Sequence, residues 1–395
     1  MDTNTRPRGS GRLPLLDVLR GIAILGTLGM NIWLFGHPGS VDYGPVAEGL
    51  RTLFLSGKFY AMLTLLFGVG LAIQYRAAKE GGRSWPGTQP SRALLLLVEG
   101  ALHVVLLFAW DVLMGYAVTA LVVVYLLGLS ERTRTAVMWT ALGLHLAFVG
   151  GVTAAMSLLL PVERDPRLTP EQIEWDRLYR EGSYSEQVLD RATSFLLTRT
   201  EIVIALPMMV FLFLLGVRLY RAGAFGDDPL GRTIRYRMAV WGLGLGLPLN
   251  ALAAAFPGDL GMAGRNAFAM VLMLGYVGVV GMVMDRVRRP GHVTASLTAV
   301  GRTALSCYLL QNLLASLIFY SWGLGMGHLA EHAGWMVAAW AVISLVLVVG
   351  ARLWLSRFPR GPMETFQARI LALVPERRPV SGPSAVEEGR PEARG

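Results

Sequence analysis

The chain has 395 residues, of which 53% are hydrophobic and only 16% charged, with a mean hydropathy of +0.49. Soluble domains run nearer about 45–50% apolar and about 25% charged, so this balance excludes an ordinary water-soluble globule and points to lipid as the solvent. The net charge of +9, from 36 Lys+Arg against 27 Asp+Glu, does not indicate nucleic acid, because the bases sit between apolar stretches rather than in a soluble basic domain.

The opening, with Arg6, Arg8 and Arg12 before an apolar run, imitates a secretory signal. Asp17 and Arg20 at the entry of that run, and the further spans behind it, argue instead for a retained first helix. Apolar runs suited to a core of about 30 Å follow at 14–36, 53–75, 93–110, 112–129, 135–160, 201–220, 237–257, 265–284, 300–322 and 333–356. Unpaired backbone groups cannot face lipid, so these runs predict helices, and strand alternation is absent. The expected fold is all-α: a polytopic bundle of about ten transmembrane helices.

The connecting segments alternate in charge. Segments 1–13, 76–92, 130–134, 218–237, 285–302 and the tail after 356 are rich in Arg and Lys. Segments 37–52, 258–264 and 323–332 are poor in them, and the turn at Trp110-Asp111 has none. The positive-inside rule then predicts a cytoplasmic N-terminus and, with an even span count, a cytoplasmic C-terminus. The organisation is a cytoplasmic segment 1–13, five spans in 14–160, an extracytoplasmic loop 161–200, five spans in 201–356, and a cytoplasmic part 357–395. In the outer loop Thr169-Pro170-Glu171 reads as a helix start leading to a short surface helix. Met363, Phe366, Ile370 and Val374 recur at helical spacing, which reads as a helix in the interface, followed by a disordered tail. Gly242-Leu243-Gly244-Leu245-Gly246 reads as a site of close helix packing.

Polar groups at membrane depth are expensive and mark candidate sites. They are Asp17, Arg20 and Asn31 in helix one, Lys58 at the start of helix two, Glu99 and His103 in helix three with Asp111 at its outer end, Glu201, and Arg302, Gln311 and Asn312 in helix nine. Glu99 and His103, four apart, share a helix face. A mid-depth histidine suits general-base work, with a carboxylate to fix its tautomer, although a histidine satisfied by helix–helix hydrogen bonds is an equal reading. Arg20, Arg76, Arg92 and Arg302, with Arg286, Arg288 and Arg289, suit a phosphorylated cytoplasmic ligand, or else topology and lipid headgroups. Lone Cys307 excludes an intramolecular disulfide and reads as packing. His328 and His332 lack a third ligand, and no metal is expected.

Several stretches together resemble the YeiB-like bacterial membrane proteins, a family known mainly as a domain of unknown function. They are Leu16-Asp17-Val18-Leu19-Arg20-Gly21 with Met30-Asn31-Ile32, Lys58-Phe59 with Phe67-Gly68-Val69-Gly70, and Gly100-Ala101-Leu102-His103 with Trp110-Asp111 and Tyr116-Ala117. Gly301-Arg302-Thr303-Ala304, Tyr308 to Gln311, and Gly361-Pro362-Met363-Glu364 complete the set, which covers about 17–370 in order. Trp110 departs from the glycine common in the family. That family resembles, more distantly, the transmembrane acyltransferases such as heparan-alpha-glucosaminide N-acetyltransferase. The resemblance implies a bacterial inner-membrane protein that takes acyl-CoA, as an acetyl donor, from the cytoplasm and an acceptor hydroxyl or amine from the far side. It implies roles for Asp17, Arg20, Gly21 and Asn31; Lys58, Glu99, Trp110, Tyr116, Arg302 and Gln311 are further substrate-binding candidates. His103 is the expected base, Asp111 its orienting partner, and His37 the second histidine, at a spacing unlike the acetyltransferase's. Asn31 or Lys58 would stabilise the oxyanion. Two other functions stand beside this one. A proton-coupled small-molecule transporter would use Glu99 and His103 as a relay, with Pro207 and Pro248 breaking helices. A non-catalytic membrane partner would use the polar groups only to set helix register. Membrane lipids, acyl-CoA and the acceptor are the expected partners, with homo-oligomerisation open and no nucleic acid.

Overall fold

The computed structural model describes residues 13–36, 43–159, 169–287, 289 and 291–374. The expected N-terminal segment up to residue 12, His37 and the tail from residue 375 lie outside the described residues.

All regular structure among the described residues is helical. The first half comprises α1 (Pro14–Gly36), α2 (Gly44–Phe54), α3 (Lys58–Glu80), α4 (Gln89–Leu106), α5 (Leu113–Leu127) and α6 (Glu131–Leu159). Three short helices follow, α7 (Pro170–Glu181), α8 (Tyr184–Thr193) and α9 (Phe195–Thr198). Then come α10 (Thr200–Arg221), α11 (Pro229–Ala255), α12 (Pro257–Ala263), a π-helical turn at Gly264–Phe268, and α13 (Ala269–Arg286). The chain closes with α14 (His292–Arg302), α15 (Ala304–Phe319), a 3-10 turn at Met326–Glu331, α16 (Ala333–Leu355) and α17 (Pro362–Ala372).

Seven helical runs among the described residues are long and apolar enough to cross a bilayer: Pro14–Gly36, Gly44–Glu80, Glu131–Leu158, Phe195–Arg221, Pro229–Ala255, Pro257–Arg286 and Ala333–Leu355. An eighth is added if α14 and α15 are one span. The chain is thus a multi-pass membrane protein. The other two expected runs are helical but short: α4 has 18 residues and α5 has 15. At 1.5 Å per residue they reach only about 27 and 22 Å. Large apolar side chains such as Leu144, Val203 and Leu345 stay exposed on the outer helices, as a lipid-facing surface requires.

Three expectations are corrected. The run 300–322 is not one straight helix, because the chain bends by 88° between α14 and α15. The third helix stops at Leu106, so Asp111 lies in the turn before α5 and not two turns further along the same helix. The described part of the 161–200 segment is mostly helix and holds more than the one short helix expected, with Thr169 and Ser183 each forming a reciprocal capping box at the starts of α7 and α8.

Small residues let the helices meet backbone to backbone. A Cβ on Gly242 would stand 2.1 Å from the Gly275 amide nitrogen, which locks α11 onto α13 as the glycine-rich stretch suggests. A Cβ on Gly21 would stand 2.1 Å from the Leu297 carbonyl, and one on Gly301 1.8 Å from the Asp17 carbonyl. These two glycines seat α14 against α1 and bring Arg302 beside Arg20.

Candidate functional site

A cavity of about 360 Å³ lies among α1, α3, α4, α5, α14, α15 and α17. Its wall follows helical periodicity: Leu63, Leu66, Phe67, Gly70, Leu71 and Gln74 from α3, and Leu113, Tyr116, Ala120 and Val124 from α5. Those stretches make it about 16 Å long. One end is polar and carries Arg20, Gln74, Gln89, Arg92, Arg302, Glu364 and Gln367. The other end is apolar apart from the phenols of Tyr116 and Tyr308.

The polar end is held by local contacts. Arg20 Nη1 lies 3.4 Å from Asp17 Oδ1, one helical turn away. Arg92 Nη1 donates to Gln74 Oε1 at 2.7 Å, joining the start of α4 to the end of α3. Arg302 Nη2 donates to the Pro359 carbonyl at 3.0 Å.

At the apolar end a buried network begins one side chain behind the wall. Tyr308 Oη donates to Asp111 Oδ1 at 3.1 Å. His103 Nδ1 stands 2.9 Å from the same oxygen, and Asn312 Nδ2 lies 3.2 Å from His103 Nε2. The Asn312 amide and the Asp111 carboxylate thus flank the two ring nitrogens of His103, one on each side. Asp111 Oδ2 accepts from the amides of Leu113 at 2.8 Å and Met114 at 3.3 Å, capping α5. The pairing of His103 with Asp111 thus arises because the chain reverses between α4 and α5.

The structure therefore brings together some of the expected residues and separates others. Arg20, Tyr116 and Arg302 line the cavity, and Glu99 reaches it through a hydrogen bond from Gln367. His103 and Asp111 sit one residue behind the wall. Asn31, Lys58, Trp110 and Gln311 are not among the lining residues. Lys58 is fully buried with its ammonium donated to the Thr52 carbonyl, so the oxyanion roles given to Asn31 and Lys58 have no support in this geometry.

Sequence reasoning passed over Arg191 and Arg199. Arg191 is 2% exposed and donates from Nε to the Val105 carbonyl at 2.9 Å, from Nη2 to the Leu106 carbonyl at 3.3 Å, and from Nη1 to Tyr179 Oη at 3.2 Å. Arg199 donates to the Ala109 carbonyl. The two arginines satisfy carbonyls that the end of α4 leaves open. Burial pushes the Tyr179 phenol above its usual range, with the Arg191 guanidinium pulling the other way. The signal in the sequence is bases in a segment that the charge alternation expects to hold few. Tyr308 stands in the sequence only as part of a motif, and nothing in the sequence singles out Gln367.

Comparison with known proteins gives similarity to uncharacterized proteins. Residues 219–372 match a family model described as "Protein of unknown function (DUF418)". The chain is 28% identical over 381 residues to the uncharacterized protein YeiB of Escherichia coli (strain K12), covering 88% of this chain and 93% of that one. It is 25% identical over 382 residues to the uncharacterized protein YxaH of Bacillus subtilis (strain 168), covering 89% and 92%.

Proposed function

We propose that this chain, which is similar to the YeiB protein along most of its length, is an acyltransferase working within the bilayer. It would move an acyl group, acetyl by the resemblance, from cytoplasmic acyl-CoA to an outer-face hydroxyl or amine. One observation carries the reading: a single cavity is cationic at one end, apolar along its length, and ends on Tyr308 beside the His103–Asp111–Asn312 network. An anionic head with a narrow apolar arm matches that gradient, because guanidinium forks take phosphate bidentately while the apolar wall takes the arm. The volume suits the arm alone, so the nucleotide would stay at the mouth. The proposed orientation, with both termini in the cytoplasm and the mouth facing it, follows from the charge alternation of the loops. The setting, a bacterial inner membrane, is proposed from the two bacterial relatives.

In this reaction the acceptor oxygen or nitrogen attacks the thioester carbonyl carbon, the C–S bond breaks, and CoA leaves as a thiolate that is then protonated. Tyr308 is the phenol that touches substrate: it takes the acceptor's proton as its own passes to Asp111 Oδ1, and the proton returns by the same path to the CoA thiolate. His103, beside the same carboxylate oxygen, positions Asp111.

The test supplies radiolabelled acetyl-CoA and an acceptor extract to proteoliposomes, with proton flux followed in parallel. Label transfer should fall by about 10²-fold or more in His103→Ala and in Tyr308→Phe. Transfer by His103→Ala at the wild-type rate overturns the assignment. A second reading, a proton-coupled transporter, is favoured by the 88° break between α14 and α15 beside the cavity. Proton flux without label transfer would select it.

A further inference from the structure

The polar end of the cavity is flanked by α17, and α17 is held differently from every longer helix. None of its residues is buried. Two of its side chains, Glu364 and Gln367, form part of the cavity wall. The Glu364 carboxylate accepts from the Leu305 amide at 2.9 Å, from the Ser306 amide at 3.3 Å, and from the Ser306 hydroxyl, which in turn accepts from the Met363 amide at 3.0 Å. Gln367 donates to Glu99 on α4. Just before α17, the Pro359 carbonyl accepts from Arg302. The break at Thr303 is what makes the first tie available. It frees the first amides of α15, and Ala304 and Leu305 face the cavity together with Arg20, Arg92 and Arg302.

We propose that α17 is a displaceable gate on the cavity, tied by Glu364 and Gln367, and that a phosphate-bearing ligand entering the cavity replaces the Glu364 carboxylate at the start of α15. Three features make this an exchange. The resident group is an anion held by backbone amides, the mode in which helix starts take phosphate. The arginines beside it supply the charge that a doubly charged phosphate would use better than one carboxylate does. No residue of the gate is fully buried, so opening it exposes less apolar surface than moving a core helix would. The inference rests on reading the cavity as a ligand site, and not on acyl transfer.

The probe is radiolabelled inorganic pyrophosphate, titrated onto the full chain in phosphatidylcholine nanodiscs. A gate that is mostly closed taxes affinity by its open fraction. Glu364→Gln, which keeps hydrogen-bonding capacity but loses the charge, should bind pyrophosphate at least about threefold more tightly than wild type. Gln367→Ala cuts the other tie without touching the α15 cap and should act in the same direction, which protects the test if Glu364→Gln folds poorly. Unchanged or weaker binding in Gln367→Ala and in folded Glu364→Gln makes α17 a fixed wall and overturns the gate. So does the absence of saturable binding in all three proteins. Nanodiscs containing phosphatidylglycerol separate two sources of the phosphate. Weakened pyrophosphate binding there identifies a lipid headgroup as the natural occupant, and equal binding identifies a soluble ligand; either supports the gate. Tighter binding in the variants without label transfer from acetyl-CoA keeps the gate and removes acyl transfer.

Discussion

Arg191 and Arg235 show what a guanidinium does when a membrane protein buries it. Each spends its donors on carbonyls that helices cannot satisfy themselves: Arg191 on Val105 and Leu106, Arg235 on Ala224 at 2.7 Å and Gly226 at 2.8 Å. Arg235 also forms a two-pronged pair with Asp285, at 2.6 and 3.2 Å. Removing such a side chain leaves buried acceptors unpaired, which costs about 1–3 kcal/mol per group. Arg191→Ala should therefore lower the thermal midpoint in detergent by several degrees, and Arg191→Lys should recover only part, since an ammonium cannot reach three acceptors as a fork does. A midpoint equal to wild type in Arg191→Ala would show the cap to be dispensable. Glu186 supplies a pH-dependent contact. The Ser183 amide and hydroxyl donate to its carboxylate and hold it below the usual carboxylate range. A depressed folded-state value means that the contribution is complete above the unfolded value, about 4.3, and is lost as pH falls through the folded one. Amide exchange in the first turn of α8 should show extra opening in acid only, and Glu186→Gln should remove that acid dependence.

At the scale of elements, the contacts between helices set the cavity. Gly301 packs on the backbone of α1, so Gly301→Ala must push α14 away and move Arg302 from the cavity mouth. It should lower thermal stability and weaken pyrophosphate binding together. Gly143 on α6 has nothing near its would-be Cβ, and Gly143→Ala should be neutral or stabilising by up to about 1 kcal/mol. Unchanged binding in Gly301→Ala would mean that the α1–α14 contact does not shape the mouth. The break between α14 and α15 belongs to this scale too. The sequence around Thr303 contains no proline, and the run reads as one apolar span. The bend is set by Gly301 meeting Asp17 on α1 and Glu364 capping α15, both distant in sequence.

For the whole molecule, the orientation proposed from loop charge is open to direct measurement. In a Cys307→Ser background, Arg83→Cys and Ser185→Cys introduce thiols at exposed positions in segments expected on opposite faces. An impermeant maleimide should label Ser185→Cys in intact cells and Arg83→Cys only after permeabilisation. Labelling of both from one side would break the charge argument and with it the cytoplasmic placing of the cavity mouth.

Hydropathy alone settled that the chain is a helical membrane protein, because a backbone in lipid has few ways to satisfy its own hydrogen bonds. The same reasoning placed helix at every expected run, and the polar residues that lipid penalises included Arg20, Glu99, His103, Asp111, Arg302 and Asn312. What it left undecided was which of them meet. His103 finds Asp111 through a chain reversal and Asn312 through α15, while Asn31 and Lys58 stay outside the cavity wall. Local periodicity fixes the face of a helix but carries no information on how far it runs or which neighbour it meets. Those are decided by backbone-close glycine contacts and capping side chains far apart in the sequence, and so only by the tertiary structure.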